Sequence, residues 1–276
     1  MASGRVAVVT GGNKGIGLAI VRALCKQFTG DVHLTARDPK LGEAAVKTLQ
    51  GEGLKPLFHH LDITDLQSIR NLRDFLQREY GGIDVLINNA AIAFKVDDTT
   101  PFPTQAEVTL KTNFFATRDV CNELLPLIKP HGRVVNVSSM VSVRALSSCS
   151  PDLQKKFRSE TITEEELATL MEKFIKDTKD GVHSQEGWPN TAYGISKIGV
   201  TALSRIQARK LNENRKGEGI LLNACCPGRV RTDMTDPEAP KSPEEGAETP
   251  VYLALLPVNA DGPHGQFVSD KTVKTW

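Results

Sequence analysis

Six short runs of apolar, largely β-branched residues punctuate the chain, separated by longer stretches with helical spacing. The runs are Val6 to Thr10, Val32 to Ala36, Pro56 to Leu61, Ile83 to Asn88, Arg133 to Ser138 and Ile220 to Cys225. Several are apolar nearly throughout instead of alternating, which is how a strand reads when crossover helices bury both its faces. Few folds are open to such a chain: β-α-β-α order dictates an α/β architecture, a mostly parallel sheet in doubly wound order with helices on both sides. The 276 residues suffice for two small domains or one large α/β unit, and can bury about three quarters of the surface the unfolded chain exposes. No repeat or low-complexity linker divides them, so the expectation is one domain over 1–276.

Punctuation supports the helices. Asp38-Pro39 places a capping side chain before a proline at the first helical position. Asp65 can cap a helix running toward Tyr80, and Ser242-Pro243-Glu244-Glu245 carries the cap, the proline and a glutamate three residues after the cap. The βα rhythm breaks between about residues 142 and 189. There Thr163-Glu164-Glu165-Glu166 forms another capping box, and Leu167, Leu170, Met171, Phe174 and Ile175 recur at helical spacing. This stretch is expected to be a helical insertion before Tyr193, with at least one amphipathic helix.

The first apolar run ends in Thr10-Gly11-Gly12-Asn13-Lys14-Gly15-Ile16-Gly17, and a helical pattern follows. Glycines let the chain turn tightly and bring backbone N–H groups up to a pyrophosphate, to which the helix N-terminus adds partial positive charge. A tight structural turn is the bland alternative, but four glycines between positions 11 and 17, inside a βαβ pattern, point to a dinucleotide site of Rossmann type. NAD sites carry an acid about 20 residues further on that bonds the ribose 2′-hydroxyl. Here the second run ends Thr35-Ala36-Arg37, with a guanidinium where the acid would stand. Its planar fork suits a phosphate, and Lys14 adds a second cation, so the expected cofactor is NADP(H). Asp38 is the competing acid, displaced by two residues from the strand end, and its place before Pro39 favours a cap instead.

Tyr193-Gly194-Ile195-Ser196-Lys197 opens another helical pattern. Residues four apart share a helix face, and a lysine cation beside a tyrosine favours the phenolate and lowers its pKa. The tyrosine can then give a proton to a carbonyl oxygen as hydride reaches the carbon. Ser139, at the end of the fifth run, is placed by topology to donate to that oxygen. Such a pair on a helix is usually a solvated face; its weight comes from sharing a chain with the glycine loop and Ser138-Ser139.

With these residues in this order the chain resembles the short-chain dehydrogenase/reductase family over nearly its whole length. The resemblance makes Thr10, Gly11, Asn13, Lys14, Gly15, Ile16 and Gly17 the cofactor loop, and Asp62 with Ile63 the adenine contacts after the third strand. Asn89 lies in the family's Asn88-Asn89-Ala90 motif. Asn113 completes a catalytic tetrad with Ser139, Tyr193 and Lys197 and holds a water in the proton relay, while Lys197 also contacts the nicotinamide ribose. Pro227-Gly228, Val230 and Thr232 correspond to the loop that meets the nicotinamide amide. The long separation of Ser139 from Tyr193, with its Glu-Glu-Glu helix, is similar to the cytosolic monomeric carbonyl reductases of mammals. In that group the extra helices cover a surface other members use to oligomerise. The implied activity is NADPH-dependent reduction of quinones, aldehydes and ketones, xenobiotic or of prostaglandin or steroid type.

Two positions depart from the family pattern. Ala91 stands where glycine is usual, which costs something if that site needs φ > 0. Arg229 stands where the best-studied relatives have tryptophan, bordering the substrate pocket. Phe94 and Lys95 are further candidates for the substrate cleft, against the default of exposed loop residues. The resemblance also suggests that Cys226 lies near the pocket, where its thiol could meet glutathione conjugates. Cys225-Cys226 is not a redox CxxC motif, and buried thiols usually act as small hydrophobes. His59-His60 on a strand point to opposite faces, so no metal site is expected.

The totals exclude other classes. A net charge of +1 gives no field toward nucleic acid or an anionic membrane. No apolar run approaches the roughly 18–20 residues that span a bilayer, and Met1-Ala2-Ser3-Gly4 enters the first strand without the apolar stretch of a signal peptide. Five cysteines without metal-ligand spacing suit a reduced, cytoplasmic protein. Two rivals stay open: an NAD-dependent alcohol or steroid dehydrogenase, which Arg37 and Lys14 oppose, and a weakly active or non-catalytic NADP(H)-binding or sensing protein of the same fold, which the intact Asn113, Ser139, Tyr193 and Lys197 oppose.

Overall fold

A computed structural model describes residues 4–276; Met1 to Ser3 lie outside the described residues. The first half alternates strand and helix: β1 (Val6–Val9), α1 (Gly15–Gln27), β2 (Asp31–Ala36), α2 (Pro39–Gly51), β3 (Leu57–His60), α3 (Leu66–Tyr80) and β4 (Ile83–Asn88). Helix α4 (Phe102–Leu110) runs through a π-helical segment, Lys111–Ala116, into α5 (Thr117–Leu124). Then come β5 (Ile128–Val137), α6 (Met140–Ser148), α7 (Pro151–Arg158), α8 (Glu164–Lys179), α9 (Ala192–Asn214), β6 (Leu221–Cys226), α10 (Pro243–Ala254), β7 (Phe267–Ser269) and β8 (Thr272–Lys274). The eight strands form one sheet in the order β3-β2-β1-β4-β5-β6-β7-β8. It is parallel up to β7, with β8 antiparallel at the edge.

Strand β1 shows why the apolar runs do not alternate. All four of its side chains are fully buried, but Ala7 and Val9 pack into the core under α1, α2 and α10, while Val6 and Val8 pack into the core under α3, α5 and α9. The order reverses between β1 and β4, and the loops at that crevice are those after β1 and β4. Ligands of open α/β sheets bind there, at the carboxyl ends of the strands.

The expected caps form. Asp38 accepts from the Lys40 and Leu41 amides at 2.9 and 3.3 Å, Asp65 from the Gln67 amide at 3.0 Å, and Thr163 and Ser242 make reciprocal capping boxes with Glu166 and Glu245. The insertion is richer than one helix: α6, α7 and α8 all lie in it, and α8 packs on α4 and α9. Leu167, Met171 and Phe174 join Phe157, Trp188 and Ile198 in a third core. Three features left no periodic signal. They are the two short final strands, the π-helical turn, and the start of β5 at Ile128, five residues before its apolar run. No helix among the described residues is long and apolar enough to cross a membrane.

Candidate active site

The glycine loop connects β1 to α1. Gly11 and Gly15 have φ of +62° and +56°, the left-handed region that favours glycine. A Cβ on Gly17 would stand 2.1 Å from the Gly11 carbonyl oxygen, so helix and loop touch only because no side chain intervenes. Thr10 and Asn89 hold this loop from beneath. The Thr10 hydroxyl accepts from the Asn89 and Ala90 amides at 2.9 and 3.0 Å, and the Asn89 carboxamide donates to the carbonyls of Thr10 and Gly11 at 3.2 Å. Their side chains therefore shape the glycine loop. Asn13 and Ile16 are half-buried along it.

Helix α1 starts with no side-chain cap and no acid in its first turn. Its first N–H groups have no side-chain acceptor, while its dipole favours an anion there. This is a cradle in which phosphate oxygens fit. Arg37 is exposed just beyond β2, close enough to Asp62 to act on its carboxyl. Burial pushes the Asp62 carboxyl up, but bonds from the Thr64 hydroxyl and amide, with Arg37 and His60 nearby, hold it below the usual range. Ile63 is buried beside it. Asp38 caps α2 as expected. Lys14 is exposed and pairs with Asp233 at 2.9 Å, and Thr232 lies over Gly15, 3.3 Å from where a Cβ would be. The loop after β6, with buried Val230, thus closes over the glycine loop.

Ser139 lies two residues past the end of β5 and caps α6, accepting from the Val141 amide at 3.1 Å. Tyr193 and Lys197 stand one turn apart at the start of α9, whose cap is Thr191. The lysine nitrogen is 5.6 Å from the tyrosine ring centre and donates to the Val137 carbonyl at 3.0 Å. The expected lowering of the tyrosine pKa is reversed here. Burial pushes the phenol up to about 12, Cys226 nearby adds to this, and the neighbouring Ser139 hydroxyl works the other way. Burial also pulls Lys197 down to about 8. Both shifts have the same leading cause, desolvation by burial, which disfavours the charged form of each group.

Asn113 is buried in the π-helical turn, where the widened backbone turns its side chain inward. It clamps Ile92 from both sides, accepting from its amide at 2.8 Å and donating to its carbonyl at 2.9 Å. It also donates to the Ser196 hydroxyl at 3.1 Å, which donates to the Tyr193 carbonyl at 2.7 Å. Ser196 was legible as a polar residue inside the Tyr193–Lys197 motif, though nothing in the spacing marked it as the link to Asn113.

The substrate candidates divide. Cys226 is buried near Tyr193, its sulfur accepting from the Gly228 amide at 3.3 Å; Cys225 is fully buried, and its thiol is pushed far up by burial. Phe94 is half-buried, whereas Lys95 is exposed. Arg229 is exposed and turned toward Asp236, at 2.6 Å. Ala91 carries no strain: the non-glycine residues with positive φ are His131, Asp270 and Lys271 among the described residues.

Residues 5–151 match the family model described as short chain dehydrogenase. The chain is 75% identical to carbonyl reductase (NADPH) 1 of Homo sapiens over 277 residues, covering 100% of each chain. It is 72% identical to carbonyl reductase (NADPH) 1 of Mus musculus, again over 100% of each. The solved structure of salutaridine reductase from Papaver somniferum matches with a TM-score of 0.86 at 33% identity, covering 96% of this chain and 99% of that one.

Proposed function

The chain belongs to the short-chain dehydrogenase family, and on that premise we propose that it is an NADPH-dependent carbonyl reductase, reducing quinones, aldehydes and ketones to alcohols. The observation that carries the reading is the convergence of Ser139, Tyr193 and Lys197: the Tyr193 hydroxyl neighbours that of Ser139, and the Lys197 nitrogen lies 5.6 Å from its ring centre. A tyrosine that holds its proton is the acid a carbonyl reduction requires.

In this reading the N–H groups of the glycine loop and the first turn of α1 hold the pyrophosphate, and Arg37 with Lys14 holds the 2′-phosphate. Asp62 and Ile63 flank the adenine; Val230 and Thr232 meet the nicotinamide amide. Bound NADPH supplies the hydride. Ser139 donates a hydrogen bond to the substrate oxygen and Tyr193 gives that oxygen its proton. The Lys197 ammonium then faces a phenolate, and the attraction that burial masks in the resting site comes into force. Asn113 keeps the turn after β4 and the start of α9 in register. Cys226 and Phe94 border the substrate, and Cys226 is where the sulfur of a glutathione conjugate would approach. The α8 helix covers α4 and α9, which supports a monomer, and the free thiols suit the cytoplasm.

The test is NADPH consumption, followed by absorbance, with menadione as oxidant. Tyr193→Phe should lower kcat by about a hundredfold to ten-thousandfold, the range of general-acid catalysis. Absence of turnover by the parent protein, with NADPH bound, would sink the reading.

A further inference from the structure

Trp276 follows β8, far along the chain from the catalytic motifs, yet its indole is joined to them by a buried line of hydroxyls. Nε1 of Trp276 donates to the Ser142 hydroxyl at 3.0 Å. Ser142 Oγ lies 3.4 Å from Thr201 Oγ1, which lies 2.7 Å from Ser138 Oγ. Ser138 donates to the Lys197 carbonyl at 3.2 Å. Ser138, Ser142 and Thr201 are 2%, 0% and 1% exposed, so water does not compete for these bonds.

The polarity of this line is fixed at both ends. An indole N–H only donates and a backbone carbonyl only accepts. The hydroxyls of Ser142, Thr201 and Ser138 must therefore each accept from the Trp276 side and donate toward Lys197. The longest link, Ser142 to Thr201, is the weakest by geometry, and it is the one that Trp276 orients. Ser138 immediately precedes Ser139, Ser142 sits in the turn that Ser139 caps, and Thr201 is one turn beyond Lys197. The line thus joins the β5–α6 turn that presents Ser139 to helix α9, which presents Tyr193 and Lys197.

Trp276 is held at its outer end as well. The Arg205 guanidinium stands 5.6 Å from the centre of its ring, and Arg158 donates to its carbonyl at 3.4 Å. The indole packs with Met140 and Val143 of α6 in the cluster that contains Cys226 and Phe267.

We propose that Trp276 is a positioning residue, which sets the spacing of Ser139 against Tyr193 and Lys197 through the Ser142–Thr201–Ser138 line; this rests on the carbonyl-reductase reading for its kinetic consequence only. Three variants isolate it. Trp276→Phe keeps an aromatic ring and removes the donor, Thr201→Val keeps the shape and removes a hydroxyl, and Thr201→Ser keeps the hydroxyl. In menadione reduction the first two should lower kcat about tenfold, on the scale by which small misplacements slow reactions. The KM for NADPH and the thermal midpoint should stay near parental values, and Thr201→Ser should keep most of kcat. Parental kcat in Trp276→Phe and Thr201→Val would overturn the proposal. So would equal losses in Thr201→Ser and Thr201→Val that track the thermal midpoint. Hydrogen exchange of the cofactor-free protein provides a readout independent of turnover. Amides of residues 138–143 should exchange faster in Trp276→Phe and Thr201→Val than in the parent or Thr201→Ser, with α1 unchanged. Unchanged exchange there would overturn the proposal even if the parent reduces no carbonyl, an outcome that would by itself count only against the proposed function.

Discussion

Lys197 stands one turn from Tyr193 with its nitrogen 5.6 Å from the tyrosine ring centre, and each is held toward its neutral form by the same burial. The phenol is pushed up to about 12 and the ammonium down to about 8. A proton for carbonyl reduction is thus available across the neutral range, while the cation that stabilises the resulting phenolate is the group close to titrating. The first prediction follows: kcat/KM for NADPH in the reductive direction holds below pH 8 and falls as pH rises through about 8, where Lys197 loses its charge. Since kcat/KM reports the free protein, a pH series in that parameter checks it. A flat profile to pH 10 would show that the Lys197 charge is not needed.

Arg37 is the proposed anchor of the 2′-phosphate. Charge-assisted hydrogen bonds contribute about 1.5–3 kcal/mol, so Arg37→Ala should weaken NADPH binding by roughly tenfold to a hundredfold, and NADH by less than about threefold. Titration of the reduced cofactors' fluorescence measures both. Equal losses would remove Arg37 from the 2′-phosphate.

Acid should destabilise the fold through His33. This ring lies buried between β2 and α3, where Nε2 meets the Tyr80 hydroxyl at 3.0 Å and Nδ1 has no partner. Burial first, then His59, pulls it down to about 4, with Asp31 opposing. The unfolded chain titrates this group near 6.5 and so binds more protons than the folded one between pH 6.5 and 4. Stability therefore falls as pH drops through that window. From pH 7 to 5 the loss from this one site is about 2 kcal/mol. Urea midpoints at the two pH values, compared with those of His33→Gln, measure it. An equal loss in the variant would assign the effect to other groups.

Arg229, exposed and paired with Asp236, stands at the position proposed to border the substrate cleft. In Arg229→Trp a flat apolar face replaces a solvated cation, and aromatic contacts contribute about 0.5–1.5 kcal/mol. The KM for bulky aromatic ketones should drop roughly threefold to tenfold, and that for a small aldehyde should not move. Kinetics on a graded series of ketones that show no change would place Arg229 outside the substrate path.

The sheet was legible because both faces of its strands are buried, so Val6 to Val9 could not have read as anything else. The neighbourhood of Ser139 with Tyr193 and Lys197 was legible because they sit at chain-local positions, just past a strand end and on one helical turn. What escaped depended on distant partners. The two final strands are three residues each, too short for a period. The π-helical turn that points Asn113 inward has ordinary helix-forming residues. The charge states of Tyr193 and Lys197 follow from how deeply each is buried, which no local spacing encodes. The tie from Trp276 to Ser142 joins parts of the chain that only folding brings together.

Asp38 and Arg37 are neighbours with separate places: one side chain holds the first turn of α2, and the other is exposed beyond β2, where the proposed 2′-phosphate would lie. A lineage or an engineer moving this protein toward NADH can therefore recode position 37 alone without uncapping the helix. The adjacent acid already serves as the cap of that helix. Cofactor choice in this fold can thus drift independently of foldability.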